Sequence, residues 1–541
     1  MFISFSDIPG QQNLFLDYLY EFENVARFYK KDFRNKDNYI LLFEELKNKQ
    51  RPHRNKVAEI IQKQYKGLKP SRLTESNLEY LSSEKTIAIV TGQQLGLLGG
   101  PLYTIYKILT AIKLSIYLKS IYEDYNFIPV FWLEGDDHDF EEIRSVNLYS
   151  EDFSLKRISY SEALPDESSK ISVGEMIINE SIDKFFDEIS GSLRESDFKS
   201  GIMDLFKKYY SEGESLKFSF KQMLFHFFDE YGLIIFDPQD KNIKELLKPV
   251  FINEIENFRR HSKISVAQSA LLDEHYHAQV KVKPVNLFYS DENGRFSVEP
   301  DDNDYRLKNR RVKFTKDEIL QLINSTPEKF SPNVLLRPVC QDFILPTGFY
   351  VGGPAEISYF AQVIPLYPMF NVVQPIIYPR ASATIAEKNI KNIIDKFSLS
   401  YADLFLDEQL IINKTLSGLI DNSVDEVFSK LSDSISHAFE GIKQKLVLIE
   451  KNLEDPAEKT KENILGNIEK LKSKALKSME SRHEVSLKQI NKAKSYFYPE
   501  SALQERKLNM IYFLNKYNFD VMHLIFRELS INKFEHQIIE I

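Results

Sequence analysis

The stretch TIAIVTGQQLGLLGGPLYTIYKILTAI, residues 86–112, decides the fold that this sequence predicts. Residues 87–90 are a run of β-branched or small apolar side chains, which is typical of a buried strand. A glycine-rich turn follows, and then apolar residues recur in helical steps at Ile105, Ile108, Leu109 and Ile112. A strand, a glycine loop and a helix in this order open a nucleotide-binding α/β sheet, so the chain is predicted to contain one.

The loop contains four glycines, Gly92, Gly96, Gly99 and Gly100. Their spacing differs from the G-x-G-x-x-G of dinucleotide-binding loops, and no G-K-[ST] follows. Two interpretations are therefore open: a site for a phosphate at the helix N-terminus, or a tight turn between strand and helix. Gln93 and Gln94 favour the first, because adjacent amides at the carboxyl end of a strand can orient a polar ligand.

A second buried strand is predicted at residues 128–133, inside FIPVFWLEGDDHDFEEI. Directly after it come four acids and a histidine, Glu134, Asp136, Asp137, His138 and Asp139. In a parallel sheet this acidic loop lies at the same edge as the glycine loop, the edge where open α/β sheets bind ligands. Clustered carboxylates repel one another, so some need a cation, a ligand amine or backbone N–H groups as partners. The alternative is a capped helix N-terminus, for which Asp139 is well placed.

Composition limits the classes of function. The 541 residues carry a formal net charge of -9 and show no basic stripe, which argues against a nucleic-acid-binding protein. The single cysteine, Cys340, excludes an intrachain disulfide and a cysteine-rich zinc site. The first residues lack a secretory-signal pattern, and no apolar run reaches the roughly 18 residues of a membrane helix. We therefore expect a cytoplasmic protein without a membrane partner.

Further polar side chains follow later strands. One strand is predicted to end at Asp237, another lies within residues 335–354, and a fifth spans residues 372–378. Glu356 stands at a predicted helix start, and Arg380 and Ser382 come just past the fifth strand. An arginine there can bind phosphate or carboxylate through two N–H groups, or pair with the acidic loop.

The chain as a whole is predicted to be an α/β protein with a Rossmann-like parallel sheet, connecting insertions and a helical arm. The predicted parts are an N-terminal helical segment (1–85), the core (86–150, 216–280 and 331–420), an insertion (151–215), an insertion with an Asn-Gly hairpin (281–330), the arm (421–497) and a segment that returns to the core (498–541).

The arm has a distinct pattern. Apolar residues alternate in steps of four and three from Val424 to Leu453, which makes a heptad seam, and a second series runs from Ile464 to Met479. Between them, Asp455 and Pro456 signal a helix start. With so short a connection the two helices are predicted to form an antiparallel coiled coil, and dimerisation is its simplest use.

Several stretches together resemble one family. They are TGQQLGLLGGPLYTIYK (91–107), PVFWLEGDDHDFEEI (129–143), YHAQV (276–280), SPNVLLRPVCQDFILPTGFYVGGPAEISYFAQ (331–362), YPRASAT (378–384) and YPESALQERKLN (498–509). In this order they are similar to the BshC family of bacillithiol biosynthesis, whose members are cysteine-adding ligases. The resemblance covers nearly the whole chain.

This resemblance implies a Rossmann-like core related in layout to class I aminoacyl-tRNA synthetases and nucleotidylyltransferases, with a coiled coil that makes a homodimer. It implies the last step of bacillithiol synthesis, in which L-cysteine is joined to the amine of glucosaminyl-malate. An amide forms from an activated carboxylate, usually an adenylate or an acyl phosphate, so ATP or ADP is a candidate cofactor. Whether a metal takes part is left open.

Within this resemblance the candidate residues receive hypothetical roles. The glycine loop and the helix after it would hold the activating group or the substrate carboxylate, and Lys107 and Arg380 would offset negative charge in the transition state. Asp136, Asp137 and His138 would bind the sugar or the amine, with His138 or a neighbouring acid as general base. The other predicted substrate-binding residues are Gly92, Gln93, Gln94, Gly99, Gly100, Tyr103, Trp132, Glu134, Asp139, His277, Gln279, Glu356 and Ser382.

Other interpretations stay open at this stage. The same loops could serve a nucleotide-dependent transferase that acts on a different amine, or the protein could be a non-catalytic dimeric scaffold. His275 and His277 form a weak zinc motif, because no third ligand stands nearby. Cys340 could be a nucleophile, but Val339 and Gln341 beside it offer no base, and packing in the core is the simpler expectation.

Overall fold

Five parallel strands form the central sheet of the computed structural model, which describes residues 1–150, 153–160, 171–419, 424–482 and 484–541. Strands β1 to β5 are Thr86–Gln94, Asn126–Glu134, Ile234–Phe236, Thr347–Gly352 and Ile376–Pro379. They are hydrogen-bonded in the order β5-β4-β1-β2-β3, and every neighbouring pair is parallel. The order of the strands reverses between β1 and β4, which is the place where open α/β sheets form a ligand crevice.

The strands are apolar on both faces because helices cover the sheet. Ile87, Ile89 and Val90 of β1 are almost fully buried, and helix Leu102–Ile121 packs against β1 and β2. β1 and β2 stay in register over their full length, so Gln94 lies beside Glu134 at the carboxyl ends. The predicted strand, glycine loop, helix and second strand are confirmed, and with them the parallel α/β sheet.

The remaining helices of this first compact unit surround the sheet. They are Asn13–Tyr20, Phe22–Tyr29, Lys36–Asn48, Arg54–Gln64, Arg72–Tyr80, Phe140–Ile143, Ser181–Ser192, Lys199–Tyr209, Leu216–Phe228, Lys241–Asp273, Lys316–Ser325, Arg337–Ile344, Pro354–Val363, Gln504–Lys507, Ile511–Tyr517 and Asp520–Glu528. The unit comprises residues 1–151, 155–384 and 503–539, so the C-terminal segment belongs to the same body as the sheet.

Smaller β-structures accompany the main sheet. Their strands are Phe2–Ile3, Ser145–Tyr149, Leu155–Ser159, Leu287–Asp291, Gly294–Asp301, Asp304–Leu307, Lys313–Phe314, Phe330–Pro332, Ser382–Ala386 and His536–Glu540. Leu287–Asp291 and Gly294–Asp301 are antiparallel neighbours, with Asp291 opposite Gly294. The hairpin predicted from the Asn-Gly turn is therefore present.

The fifth strand begins later than predicted. The sequence pattern placed it at residues 372–378, whereas β5 starts at Ile376. A short 3-10 helix, Ile364–Phe370, comes first, and it ends at Asn371 in a left-handed conformation. The amide of Val372 then donates to the Tyr367 carbonyl, so it completes a turn instead of a strand pair.

The second compact unit comprises residues 152–154, 385–502 and 540–541. Its helices are Lys388–Lys396, Glu408–Leu419, Val424–Ile449, Glu454–Arg482 and Glu484–Phe497. Val424–Ile449 and Glu454–Arg482 pack along each other and are joined by one short 3-10 turn, so they run antiparallel. The predicted helical coiled coil is thus present, although its second helix starts two residues before Pro456. No helix in the described ranges is both long enough and apolar enough to cross a membrane.

Candidate functional site

A pocket of about 480 Å³ opens at the carboxyl ends of β1, β2 and β4. Its position is the crevice where the strand order reverses, and its volume is typical of a small-molecule site. The lining includes eleven of the residues predicted from the sequence: Gly92, Gln93, Gln94, Tyr103, Lys107, Trp132, Glu134, Asp137, His138, Glu356 and Arg380. The two loops that follow β1 and β2 therefore meet, as the parallel sheet predicted.

Lys107 is held at the base of the pocket by oxygen atoms from three directions. Its Nζ lies 2.6 Å from Glu356 Oε2, 2.8 Å from the Gly92 carbonyl and 2.9 Å from Gln93 Oε1. Glu356 also accepts from Tyr350 and from the Gly353 amide, so the pair is fixed at the start of helix Pro354–Val363. Burial lowers the pKa of Lys107, although Glu356 opposes the shift. The ion pair anchors a positive charge in the pocket wall.

Glu134 is the last residue of β2, and its carboxyl group has a raised pKa. Trp132 Nε1 donates to its Oε2 at 3.2 Å, and Nε of Arg337 lies 3.8 Å from the same oxygen. Burial raises the pKa of Glu134 to about 7; Arg337 opposes this shift, while Asp136 adds to it. A carboxyl group with this pKa can accept and release a proton near neutral pH.

Asp137 and His138 form a second group on the pocket wall. Asp137 accepts from the His138 amide at 2.7 Å and from Gln94 Nε2 at 2.9 Å, and Arg295 Nη1 lies 3.7 Å away. Burial raises the pKa of Asp137, but the contacts with His138 and Arg295 outweigh burial and hold it at about 2. Asp137 is thus a fixed negative charge. His138 Nδ1 is shielded from solvent and lies 3.4 Å from Asp137 Oδ1.

Arg380 reaches the pocket just past β5, as predicted, but its partner comes from the far end of the chain. Its Nη2 lies 2.6 Å from Glu505 Oε1, and the side chains of both residues are almost completely buried. Glu505 also accepts from Ser382 Oγ at 2.9 Å and from the Ala383 amide at 3.0 Å. The salt bridge to the acidic loop, one of the two interpretations from the sequence, is replaced by this buried pair.

The glycine loop does not present a row of free amides. The amides of Gly96, Gly99 and Gly100 donate to carbonyls within the loop. From outside, Asn509 Nδ2 donates to the Gly100 carbonyl at 2.8 Å and to the Leu98 carbonyl at 3.2 Å. Gly99 and Gly100 have positive φ angles, which only glycine adopts without strain. These glycines therefore shape a turn around Asn509, and beyond Gly92–Gln94 the loop stays out of the pocket lining.

Seven predicted site residues lie outside the pocket lining: Gly99, Gly100, Asp136, Asp139, His277, Gln279 and Ser382. Asp136 turns to the other side of the loop, where its carboxylate lies 2.7 Å from Lys244 Nζ. Asp139 is exposed and caps the short helix Phe140–Ile143 by accepting from the Glu142 amide. His277 is exposed, and Gln279 accepts from Gln12 on the surface. Each of these side chains already has a local role or faces solvent.

The pocket also contains basic residues that sequence reasoning did not select. They are Lys281, Lys283, Arg295, Arg337 and Arg506. Arg295 follows the Asn-Gly turn, and its Nε donates to Ser331 Oγ at 2.8 Å. Arg295 and Lys283 both lie over the Phe288 ring, at 3.8 and 4.5 Å from its centre. The hairpin was predicted as an insertion, and nothing in its local pattern says that it folds over the sheet edge.

Cys340 is fully buried in helix Arg337–Ile344 and does not line the pocket. Burial raises the pKa of its thiol far above the usual range, which keeps it protonated. The expectation of a core cysteine is confirmed. Within the described ranges, no group of three or more His, Cys, Asp or Glu side chains is arranged to hold a metal ion.

Comparison with known proteins assigns both parts of the chain. Residues 1–381 match the family model described as bacillithiol biosynthesis BshC, N-terminal Rossmann-like domain. Residues 383–541 match bacillithiol biosynthesis BshC, C-terminal coiled-coil domain. A solved structure of a Campylobacter jejuni protein, described as a putative arginyl-tRNA synthetase, covers 83% of this chain and 98% of its own. With 8% identity and a TM-score of 0.22, it supports no argument.

Full-length relatives agree with the family models. A protein of Chloroherpeton thalassium is 38% identical over 96% of this chain and 95% of its own, and one of Salinibacter ruber is 32% identical over 97% and 96%. A protein of Chlorobaculum tepidum is 33% identical over 94% of this chain and 93% of its own. All three carry the name "Putative cysteine ligase BshC". With both domains matched in order, the chain belongs to the BshC family of bacillithiol biosynthesis.

Proposed function

We propose that this protein is a cytoplasmic cysteine ligase that joins the carboxyl group of L-cysteine to the amine of glucosaminyl-malate, forming a carbon–nitrogen bond. The observation that carries the proposal is an excess of positive charge in the pocket. Four of its basic side chains lie within 4 Å of a carboxylate, whereas Lys281, Lys283 and Arg506 have no such partner in the described part of the chain. An anionic substrate would supply the missing negative charge.

Glucosaminyl-malate fits this charge pattern. It brings two carboxylates from malate, and cysteine brings a third. Lys283 and Arg295 lie 4.5 and 3.8 Å from the centre of the Phe288 ring, so two cations are available around one ring for the two carboxylates of malate. The acids and amides elsewhere in the lining, including Gln93, Gln94 and Asp137, suit hydroxyl and amino groups of a sugar.

Glu134 is the group that we assign as general base. An ammonium group must lose a proton before its nitrogen can attack, and a base acts best when its pKa lies near the working pH. Glu134 meets this condition, whereas Asp137 stays ionised and binds protons too weakly. In the proposed step, Glu134 takes one proton from the ammonium group, and the neutral nitrogen then bonds to the carbonyl carbon of the activated cysteine. The activating group leaves with its electron pair, and the second proton on nitrogen is transferred to that departing group.

Activation of the cysteine carboxylate is assigned to ATP as a cosubstrate, because an amide does not form from a free carboxylate under mild conditions. The glycine loop does not fit as its phosphate cradle, since the loop amides are already bonded within the loop. No step is therefore assigned to that loop. Lys107 and Arg380 stabilise the negative charge that develops on the acyl oxygen, because both are held rigidly beside the pocket.

The first test is product formation. Purified protein is mixed with glucosaminyl-malate, L-cysteine and ATP, and the products are identified by mass spectrometry, with each component omitted in turn. The cysteinyl conjugate is expected only in the complete mixture. Product with other amines but not with glucosaminyl-malate would instead favour a transferase of different substrate. No product with any amine from a folded protein would favour the scaffold.

A matched pair of variants connects the product to the pocket. Lys283→Gln is expected to raise KM for glucosaminyl-malate about tenfold, since a lost charge-assisted hydrogen bond costs roughly 1.5–3 kcal/mol. Lys308→Gln removes an equal charge from the same hairpin region but outside the pocket lining, so KM should stay within about twofold. Equal KM values in the two variants would contradict the assigned position of the substrate carboxylates.

We also propose that the coiled coil pairs with that of a second copy of the chain. Seam positions Leu431, Ile442, Ile449 and Leu471 remain 42%, 46%, 76% and 58% exposed. A heptad seam that leaves leucine and isoleucine in solvent is stabilised when another helix covers it. Sedimentation of the wild-type chain should show a dimer, and Ile442→Asp should shift it to monomer. Asn463→Asp, at an exposed polar position, is the control, and a monomeric wild type would refute dimerisation.

A further inference from the structure

A second cavity, of about 170 Å³, lies at the opposite edge of the sheet from the pocket described above. Its wall is built from residues 49–54, the end of helix Arg337–Ile344 and residues 370–373. Arg54 donates to the Ser83 carbonyl, just before β1, and Val373 comes just before β5. The cavity therefore lies at the amino ends of the strands. With six residues in β4, about 20 Å of sheet separates the two sites.

Three fixed positive charges line this cavity. Lys49, Arg51 and Arg54 are all part of the wall, and none has a carboxylate within ion-pair distance in the described ranges. Lys49 Nζ is oriented by Asn371 Oδ1 at 2.7 Å. The one acidic lining residue, Asp342, is engaged elsewhere, since its carboxylate accepts from Gln341 and Tyr367. Three cations therefore line the cavity with one acid, Asp342, which interacts with Arg51 without forming an ion pair, and the lining keeps a net positive charge.

Arg51 is anchored in a way that leaves part of its guanidinium available. Nη1 donates to the carbonyls of Asp342, Phe343 and Leu345, at 3.1, 3.4 and 2.9 Å. Nε is shielded from solvent and has no hydrogen-bond partner among the described residues. A buried guanidinium N–H without an acceptor is costly, and a bound anion is one way to satisfy it.

The helix that begins at this cavity adds to its positive potential. Helix Arg54–Gln64 has His53 at its N-cap, and His53 makes no side-chain capping bond. Its first turn contains Arg54 and Lys56 but no acid, so nothing in the turn offsets the positive end of the helix dipole. The Arg54 amide donates to the Arg51 carbonyl, so what this helix start offers an oxyanion is its positive potential and its basic side chains.

We propose that this cavity is a binding site for a compact oxyanion of the phosphate class. Its volume suits an inorganic phosphate or a single phosphate group, and is too small to enclose a nucleotide. Lys49, Arg51 and Arg54 supply both the positive charge and the N–H donors. The site is independent of the ligase proposal, since none of these residues lines the carboxyl-edge pocket.

The test is calorimetric titration of the full chain with inorganic phosphate at constant ionic strength. Lys49→Gln with Arg54→Gln should weaken binding at least tenfold, and each single change should weaken it less. Arg51 is kept, because it also caps three carbonyls. Lys63→Gln, exposed on the same helix, is the charge-matched control and should bind like the wild type. Fluorescence of Trp132, the single tryptophan, verifies that each variant is folded.

Three outcomes would overturn the proposal: no phosphate binding by the wild type, equal binding by the double variant, or loss of binding in Lys283→Gln. The last would place the phosphate in the carboxyl-edge pocket.

Competition by ATP distinguishes the source of the ligand. If ATP displaces phosphate and the double variant removes this displacement, the site takes the phosphate tail of a nucleotide. If ATP does not compete, the ligand is a free oxyanion.

Discussion

Glu134→Gln is expected to lower kcat for the cysteinyl conjugate by about 10²–10⁴-fold, the contribution typical of a general base. Glutamine keeps the size of the side chain, and its amide oxygen can still accept from Trp132, so the pocket should keep its shape. What the variant loses is the ability to take a proton. KM for both substrates should change little, because Glu134 is assigned to proton transfer and not to carboxylate binding.

The pH profile provides a more specific readout than the rate alone. With a pKa of about 7, Glu134 is largely protonated below neutrality, so kcat of the wild type should rise as pH increases through 7. This rise in kcat with pH should be absent in Glu134→Gln. Glu141→Gln changes an exposed acid of the same loop, outside the pocket, and should keep both the rate and the profile. If kcat of Glu134→Gln still rises through pH 7, the general base is another group, and His138 is the next candidate.

The raised pKa of Glu134 also predicts the direction in which the free energy of unfolding changes with pH. The pKa of Glu134 is raised in the folded state, so between about 4.5 and 7 the folded chain binds this proton more tightly than the unfolded chain does. The contribution of Glu134 to the free energy of unfolding is therefore fully present at low pH and declines as pH rises through this window. In Glu134→Gln this part of the pH dependence should disappear.

Glu505→Gln is expected to lower the free energy of unfolding of the first unit by about 3–5 kcal/mol. The substitution leaves the buried Arg380 guanidinium without a counterion, and it weakens the bonds that Glu505 accepts from Ser382 and the Ala383 amide. Removing one partner of a buried pair costs far more than the pair itself contributes. Urea denaturation followed by Trp132 fluorescence measures this unit, because Trp132 lies in β2 and is the single tryptophan.

Glu528→Gln is the matched control for this experiment. Its carboxylate pairs with Arg527 on the surface, where both side chains are largely exposed, so the loss should be about 0–1 kcal/mol. Arg380→Gln with Glu505→Gln together should recover part of the stability, since no charge is then left alone in the interior. A Glu505→Gln variant as stable as the control would show that Arg380 finds another acceptor.

Local sequence pattern was sufficient to predict the edge of the sheet at which the site lies. The apolar runs of β1 and β2 and the polar loops after them are adjacent in the chain, and parallel pairing brings their ends together. It was not sufficient to distinguish Asp136 from Asp137. Both residues lie beyond the end of β2, where the regular alternation of side chains no longer predicts which way each one points. In the structure Asp136 pairs with Lys244, whereas Asp137 lines the pocket near Arg295.

Contacts between distant parts of the chain account for the remaining differences. Arg380 was predicted as a site residue and lines the pocket, but its partner Glu505 is 125 positions away and belongs to a segment with no strong pattern of its own. Arg295 comes from a hairpin whose sequence indicates only that it is a hairpin, and Lys283 comes from the segment just before it. The glycines suggested a phosphate-binding loop. The residue around which they turn, Asn509, lies far along the chain and cannot be predicted from the loop sequence.

The return of the C-terminal segment to the sheet has a consequence for synthesis on the ribosome. All five strands are complete once residue 379 has been made, yet Glu505, Arg506 and Asn509 reach the exit tunnel only after the entire coiled coil has been translated. Until then Arg380 lacks its counterion, Glu505, and the glycine turn lacks the Asn509 side-chain amide that donates to its carbonyls. A nascent chain that ends before residue 505 therefore contains the residues of all five strands but cannot form the complete pocket.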